Sequence, residues 1–228
     1  YNTPAASSRS VAELVTGHAF TLMRQLHLAN RAMPVTGNTE FAKLTKQCSE
    51  GNELLGKTMG IIGFGRIGQE VARISLGLGM KIVASDPFVQ KATIAISVHG
   101  SDQTISVDIQ TSAIADLLTQ SDVITIHIPK ADKPVIGKEE LSILKKGVIL
   151  INTARGGVFD EDALIEGLNS GQIGGAGLDV FVGESTPRAD ILTHPKVSLT
   201  PHVGGSTAEA QENVGRELAG LIIDHFSK

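Results

Sequence analysis

At 228 residues, with 41% apolar and 19% charged residues, the chain has the make-up of a globular protein holding one large domain or two small ones. A formal charge of -4 excludes the basic footprint of a nucleic-acid or anionic-membrane binder, and no apolar run reaches the length of a membrane span. Cys48 is the sole cysteine and no secretory signal is visible, so a cytoplasmic location is the expectation. The opening YNTPAASSRS has no initiator methionine, as in a processed product or a fragment.

The first element is a helix in SRSVAELVTGHAFTLMRQL. Ser10 and Glu13 have capping-box spacing, and Val11, Leu14, Val15, His18 and Leu22 form one stripe. ANRAMPVTGNTEFAKLTKQCSEGNELLGK has weak periodicity and two turn signals, and reads as a connection with one short helix. From Thr58 the pattern is regular. The runs TMGIIGF, KIVASD, DVITIHIP, GVILINT, AGLDVF and KVSLT alternate with RIGQEVARISLGLG, TSAIADLLTQ, GKEELSILKK, DEDALIEGLNS and STAEAQENVGRELAGLIIDHF. Strands apolar almost throughout, separated by amphipathic helices, predict an α/β fold: a doubly wound parallel sheet whose ligands lie beyond the strands' carboxyl ends. Residues 88–111 break the pattern with two β-like runs around HGSD, compatible with a hairpin or a loose strand pair.

GIIGFGRIG sets Gly63, Gly65 and Gly68 in the G-x-G-x-x-G spacing, after a strand and at the start of a helix. Gly63 permits the tight turn, Gly65 admits a pyrophosphate to the backbone, and Gly68 allows close helix–strand packing. The next strand ends in Asp86, 18 residues beyond Gly68, where a carboxylate accepts from both ribose hydroxyls and repels a 2′-phosphate. NAD is therefore favoured over NADP. The plain alternative for Asp86 is a solvated turn residue before Pro87, and S-adenosylmethionine enzymes share a similar first turn.

Three polar residues stand at later strand ends: Arg155 before two glycines, Glu184, and His202 between Pro201 and Val203-Gly204-Gly205. An arginine there offers a fork to a small carboxylate, a histidine exchanges a proton near neutral pH, and a carboxylate beside it holds its tautomer. With a nicotinamide this is the set that hydride transfer at a carbinol requires. Asp179 in GLDVF sits in the same crevice, read either as facing the nicotinamide or as a turn or capping residue. Ser206 and Glu209 repeat the capping-box spacing ahead of the last helix. The other histidines read as packing or surface residues, and no cluster has metal-ligand spacing.

GKTMGIIGFGRIGQEVA, VITIHIP, ILINTARGGVFDEDAL, GAGLDVF and TPHVGGSTAEAQENVG together resemble the D-isomer-specific 2-hydroxyacid dehydrogenases. The closing motif and NTPAASSRSVAELV are most similar to the members that oxidise 3-phospho-D-glycerate in serine biosynthesis. The resemblance implies Arg155, Glu184 and His202 as catalytic residues and a small 2-hydroxy or 2-oxo acid as substrate. It implies cofactor contacts at Arg66, Ile67, Asp86, Ile128, Thr153, Ala154 and Asp179, with Gly204 and Gly205 near the nicotinamide. It also implies a homodimer through the nucleotide domains, or a tetramer, with the SVAELV helix at the interface. Residues 1–9 are then an interdomain crossover, 10–205 the NAD-binding domain, and 206–228 a helix returning toward a substrate domain that lies mostly outside this chain. VGES in place of the family's acidic-Glu-Pro ending predicts a different course for the loop after Glu184. Other members of the same dehydrogenase class, and NAD(H)-sensing binding proteins of this fold, are the alternatives.

Overall fold

The computed structural model describes residues 6–226. Six parallel strands form the main sheet: β1 (Thr58–Ile62), β2 (Lys81–Ser85), β5 (Val123–Ile126), β6 (Val148–Asn152), β7 (Ile173–Leu178) and β8 (Val197–Leu199), in the order β2-β1-β5-β6-β7-β8. Side chains alternate between two cores. Met59, Ile61, Val123, Ile149 and Ile151 face one, beneath α1 (Ser8–Met23) and α3 (Arg66–Gly77). Ile62, Ile124, Ile126, Val148 and Leu150 face the other, beneath α4 (Ile114–Gln120), α5 (Lys138–Leu141), α6 (Glu161–Ser170) and α7 (Ala189–Thr193). Burial on both faces is why these strands lack polar alternation. The chain order reverses between β1 and β5, so their carboxyl ends diverge into a crevice.

Residues 88–111 are a hairpin, β3 (Lys91–Ser97) antiparallel to β4 (Thr104–Gln110), in a sheet of its own. Ile94 and Ile109 are buried toward α3, and Arg73 Nε donates to Ala95 O at 2.8 Å. The hairpin thus shields the edge beside β2.

Several elements depart from the expectation. The stretch read as a connection is α2 (Leu26–Cys48), running through Pro34 and kinked at Glu40 (φ -122°, ψ 24°). Its start is latched to the sheet: His27 Nε2 lies 3.0 Å from Pro195 O, and Arg31 Nη2 donates to Val197 O at 3.2 Å. Those contacts come from 166 and more residues away, and outweigh local turn signals. GKEELSILKK holds only the four-residue α5, and α7 is additional. Neither expected capping box forms. Ser10 lies inside α1, its hydroxyl 2.8 Å from Thr207 Oγ1, while Glu13 pairs with Arg9. At α8 (Ala208–Phe226), Thr207 rather than Ser206 caps, accepting from Ala210 N at 3.1 Å.

Of the expected crossover at 1–9, residues 1–5 lie outside the described residues, and Ser8 and Arg9 already belong to α1. The stripe of α1 holds, but Val15 and Leu22 are buried in the core this chain's own sheet forms with α3, and Val11 is buried beside Gly204, so most of that face is occupied. Leu14 is only half-buried. Among the described residues no helix is long and apolar enough to cross a membrane.

Candidate active site

The crevice begins at the glycine turn. Gly63 has φ +89°, and a Cβ there would lie 2.4 Å from His127 O; one on Gly68 would lie 2.2 Å from Gly63 O. Turn, helix and neighbouring strand approach too closely for side chains. Gly65 differs: a Cβ there meets nothing within 4 Å. It is also the N-cap of α3 without a side-chain cap, so the first-turn amides stay free for an anion.

Asp86 is not a merely solvated turn residue. Its Oδ2 accepts from Phe64 N at 2.7 Å, and its Oδ1 from Phe88 N at 2.8 Å and Val89 N at 3.0 Å. Partial burial pushes its pKa up, yet the three amide donors hold it below the usual aspartate value. An ionised carboxylate is thereby tied to the glycine turn. Arg66, exposed at the first turn of α3, makes no ion pair among the described residues.

Arg155 follows β6 in a turn clamped by a residue that motif reading passed over. Buried Asn152 donates through Nδ2 to Arg155 O at 2.9 Å and accepts through Oδ1 from Ala154 N at 3.0 Å. The exposed guanidinium reaches only Ala154 O, at 2.6 Å, and makes no ion pair among the described residues. It is open to a ligand carboxylate.

His202 has φ +54°, a left-handed conformation uncommon for a residue with a side chain. Asp179 maintains it. His202 N donates to Asp179 O at 2.8 Å; Val203 N and Gly204 N donate to Asp179 Oδ1 and Oδ2, each at 2.9 Å. Asp179 is fully buried and both its oxygens are engaged, so it organises this turn while lining the crevice. Of its two sequence readings, the turn role is what the hydrogen bonds display. The imidazole, about half exposed, places Nδ1 2.9 Å from Glu184 Oε2. Because an ionised carboxylate only accepts, Nδ1 carries the proton and Nε2 is free to take or give another. Glu184 itself sits in the tight turn 182–185, where Thr186 N donates to Gly183 O at 2.7 Å.

A crevice of about 550 Å³ gathers Ile67, Ile128, Thr153, Ala154, Arg155, Asp179, His202, Gly204 and Gly205. Val11 of α1 and His127 join them, the latter placing Nε2 3.0 Å from Thr125 Oγ1. Glu184 lies on the other side of His202, in a second groove of about 500 Å³ with Phe181, Leu192 and Leu199. Thr153 Oγ1 is buried without a partner. That orphaned hydroxyl, the open space at Gly65, the uncapped α3 and the ionised Asp86 together fit a dinucleotide.

Comparison with known proteins agrees. Residues 16–204 match the family described as D-isomer specific 2-hydroxyacid dehydrogenase, NAD binding domain. A hydroxypyruvate reductase of Thermotoga maritima is 43% identical over 226 residues, covering 97% of this chain and 68% of that protein. A D-3-phosphoglycerate dehydrogenase of Bacillus subtilis is 36% identical over 229 residues, covering 100% of this chain and 40% of that protein. Among solved structures, an NAD-dependent formate dehydrogenase of Staphylococcus aureus in complex with NAD superposes with a TM-score of 0.78 at 29% identity, over 97% of this chain and 62% of that one. The chain therefore spans from two fifths to about two thirds of these relatives. The family match covers most of the chain, including the glycine turn, Asp86, Arg155, Glu184 and His202: the chain belongs to the D-isomer specific 2-hydroxyacid dehydrogenases, as their NAD-binding domain.

Proposed function

We propose that the complete protein interconverts a 2-hydroxy acid and its 2-oxo acid, with 3-phospho-D-glycerate and 3-phosphohydroxypyruvate as the first pair to test. The observation that carries this reading is the 2.9 Å pair of His202 Nδ1 and Glu184, with unpaired Arg155 lining the same crevice as His202. Arg155 holds the substrate carboxylate and polarises the adjacent carbon–oxygen group. In oxidation, His202 Nε2 takes the hydroxyl proton, and Glu184 stabilises the resulting imidazolium; in reduction the proton returns. NAD, when bound, supplies the hydride acceptor. Gly65 with Arg66 and Ile67 would hold its pyrophosphate, Gly63 and Gly68 giving the turn its close packing, and Asp86 would hold its adenosine ribose. Ile128, Thr153, Ala154, Gly204 and Gly205 would receive the nicotinamide side, where Asp179 contributes through the turn it organises.

A second reading, reduction of hydroxypyruvate, is favoured by the 43% identity to the Thermotoga protein. The two substrates differ by a phosphate, so activity on the phosphorylated and unphosphorylated acids separates them. We place the protein in the cytoplasm and its reaction in serine biosynthesis on the first reading. Exposed Leu26 and Met33, seven residues apart on one side of α2, mark the face we assign to a homodimer contact. Exposed Leu218, Ile222, Ile223 and Phe226 make α8 the helix that returns to a substrate domain.

The test is steady-state kinetics of the complete protein on a panel of phosphorylated and unphosphorylated 2-hydroxy and 2-oxo acids. His202→Gln is expected to lower kcat about 100-fold or more while NADH binds within a few-fold of wild type. Full turnover in that variant would remove His202 from the chemistry. NADH binding without turnover on any acid would favour a sensing protein.

A further inference from the structure

Beside the crevice runs a polar chain, buried except at half-buried Thr200, whose histidine the reaction as described does not use. His18, on α1, is 3% exposed and reaches across 180 residues of sequence to β8: Nδ1 is 2.9 Å from Ser198 Oγ, and Nε2 is 3.2 Å from Thr200 Oγ1. Thr200 Oγ1 donates in turn to Asp179 Oδ1 at 2.5 Å. The direction of every bond follows from its end. Thr200 gives its one hydroxyl proton to Asp179 Oδ1. Thr200 Oγ1 must then accept from His18, which puts the ring proton on Nε2, and Nδ1 accepts from the Ser198 hydroxyl. The imidazole is neutral: burial drives its pKa down to about 4, against an opposing pull from Asp179.

The ring lies against β7 only because residue 177 is glycine. A Cβ there would lie 2.8 Å from His18 Cβ and 2.9 Å from Cγ. Asp179, where the chain ends, is the residue whose carboxylate receives Val203 N and Gly204 N and whose carbonyl receives His202 N. A second tie joins the same two segments, the hydroxyls of Ser10 and Thr207 at 2.8 Å.

We propose that His18 is a positioning residue for His202. Its Nε2–H tautomer completes a relay, Ser198 to His18 to Thr200 to Asp179, which locks the Asp179 carboxylate under the 202–204 turn. That lock keeps His202 at φ +54° with its ring beside Glu184. Helix α1 is thereby coupled to the geometry of the acid/base. This rests on the reading of His202 as the group that moves the substrate proton.

The test uses two variants of the complete protein. His18→Leu combined with Ser198→Val replaces a bonded polar pair by an apolar one and leaves no unpaired ring nitrogen, which protects folding. His18→Gln keeps a donor near the Nε2 position. The double variant is expected to keep its melting temperature within a few degrees and its NADH affinity within about threefold. Its kcat should fall about tenfold with KM for the acid little changed, and His18→Gln should recover most of that loss. A double variant with wild-type kcat would overturn the relay, as would a loss of kcat that tracks melting temperature in both variants. A second measurement needs no turnover: imidazole nitrogen chemical shifts should report the neutral Nε2–H form of His18 at pH 7. The Nδ1–H form or a charged ring would sink the relay even in an active enzyme. The expected tautomer in a protein that turns over no 2-hydroxy or 2-oxo acid would instead refute the acid/base reading, and with it a positioning role.

Discussion

Asp86, to which we assign the adenosine ribose, also carries a structural duty that its position in sequence does not reveal. Its carboxylate caps three backbone amides, from Phe64, Phe88 and Val89, and so ties the glycine turn to the segment after β2. The same charge repels a 2′-phosphate. Asp86→Ala should therefore act twice: weaker NAD binding from a loosened turn, and a Kd ratio of NADP to NAD reduced about tenfold. Fluorescence titration with NADH and NADPH measures both. An unaltered preference would show that discrimination resides elsewhere. Asn152 and Asp179 are similar cases, polar residues buried at strand ends whose bonds shape the turns bearing Arg155 and His202. Both lie within quoted motifs, yet only their partners disclose that they hold the loops.

At the scale of elements, the start of α3 separates packing from binding in adjacent glycines. A Cβ on Gly68 collides with the backbone of Gly63, whereas one on Gly65 projects into open space. Gly65 has φ -76°, a value any residue adopts. Gly65→Ala is therefore expected to leave the denaturant midpoint almost unchanged, a shift of less than about 0.5 kcal/mol. NADH affinity should fall about tenfold or more as the methyl meets the pyrophosphate. Retained affinity would mean that the phosphates do not approach this turn. α2 teaches the converse lesson. Pro34, Gly37 and Asn38 read locally as breaks, yet helical turns run past them to the kink at Glu40, with His27 and Arg31 anchoring the first turns to the segment around β8.

For the whole molecule, the buried histidines set a direction to acid sensitivity. His18 titrates at about 4 in the fold and at the ordinary 6.5 when unfolded, so protons bind the unfolded chain preferentially between those values. The associated stability is fully present above pH 6.5 and is lost as pH falls toward 4. Its size is on the order of 3 kcal/mol. His127, pushed down to about 3 by burial, acts in the same direction. The urea midpoint should thus drop between pH 7 and pH 5, and less so in the His18→Leu, Ser198→Val variant. Equal slopes in the two proteins would mean that His18 is not buried as a neutral ring.

The architecture was legible in the sequence because its signals are local. Apolar strands, intervening amphipathic helices and a glycine turn followed by an acid specify a parallel sheet and its crevice through backbone sterics and periodicity alone. Arg155 and His202 stand out in the sequence because each follows a strand by three residues, whereas Glu184 lies six residues past β7, in the 182–185 turn. What only the tertiary structure decided depends on partners distant in the chain. The docking of α2, the pairing of Ser10 with Thr207 and the engagement of Asp179 all arise from contacts absent in any short window. His18 is the extreme case: a histidine on an apolar stripe looks like packing until Ser198 of β8 and Thr200 just beyond it bring two hydroxyls to its ring. Local sterics determine which elements form, and desolvation of polar groups determines which distant residues must meet.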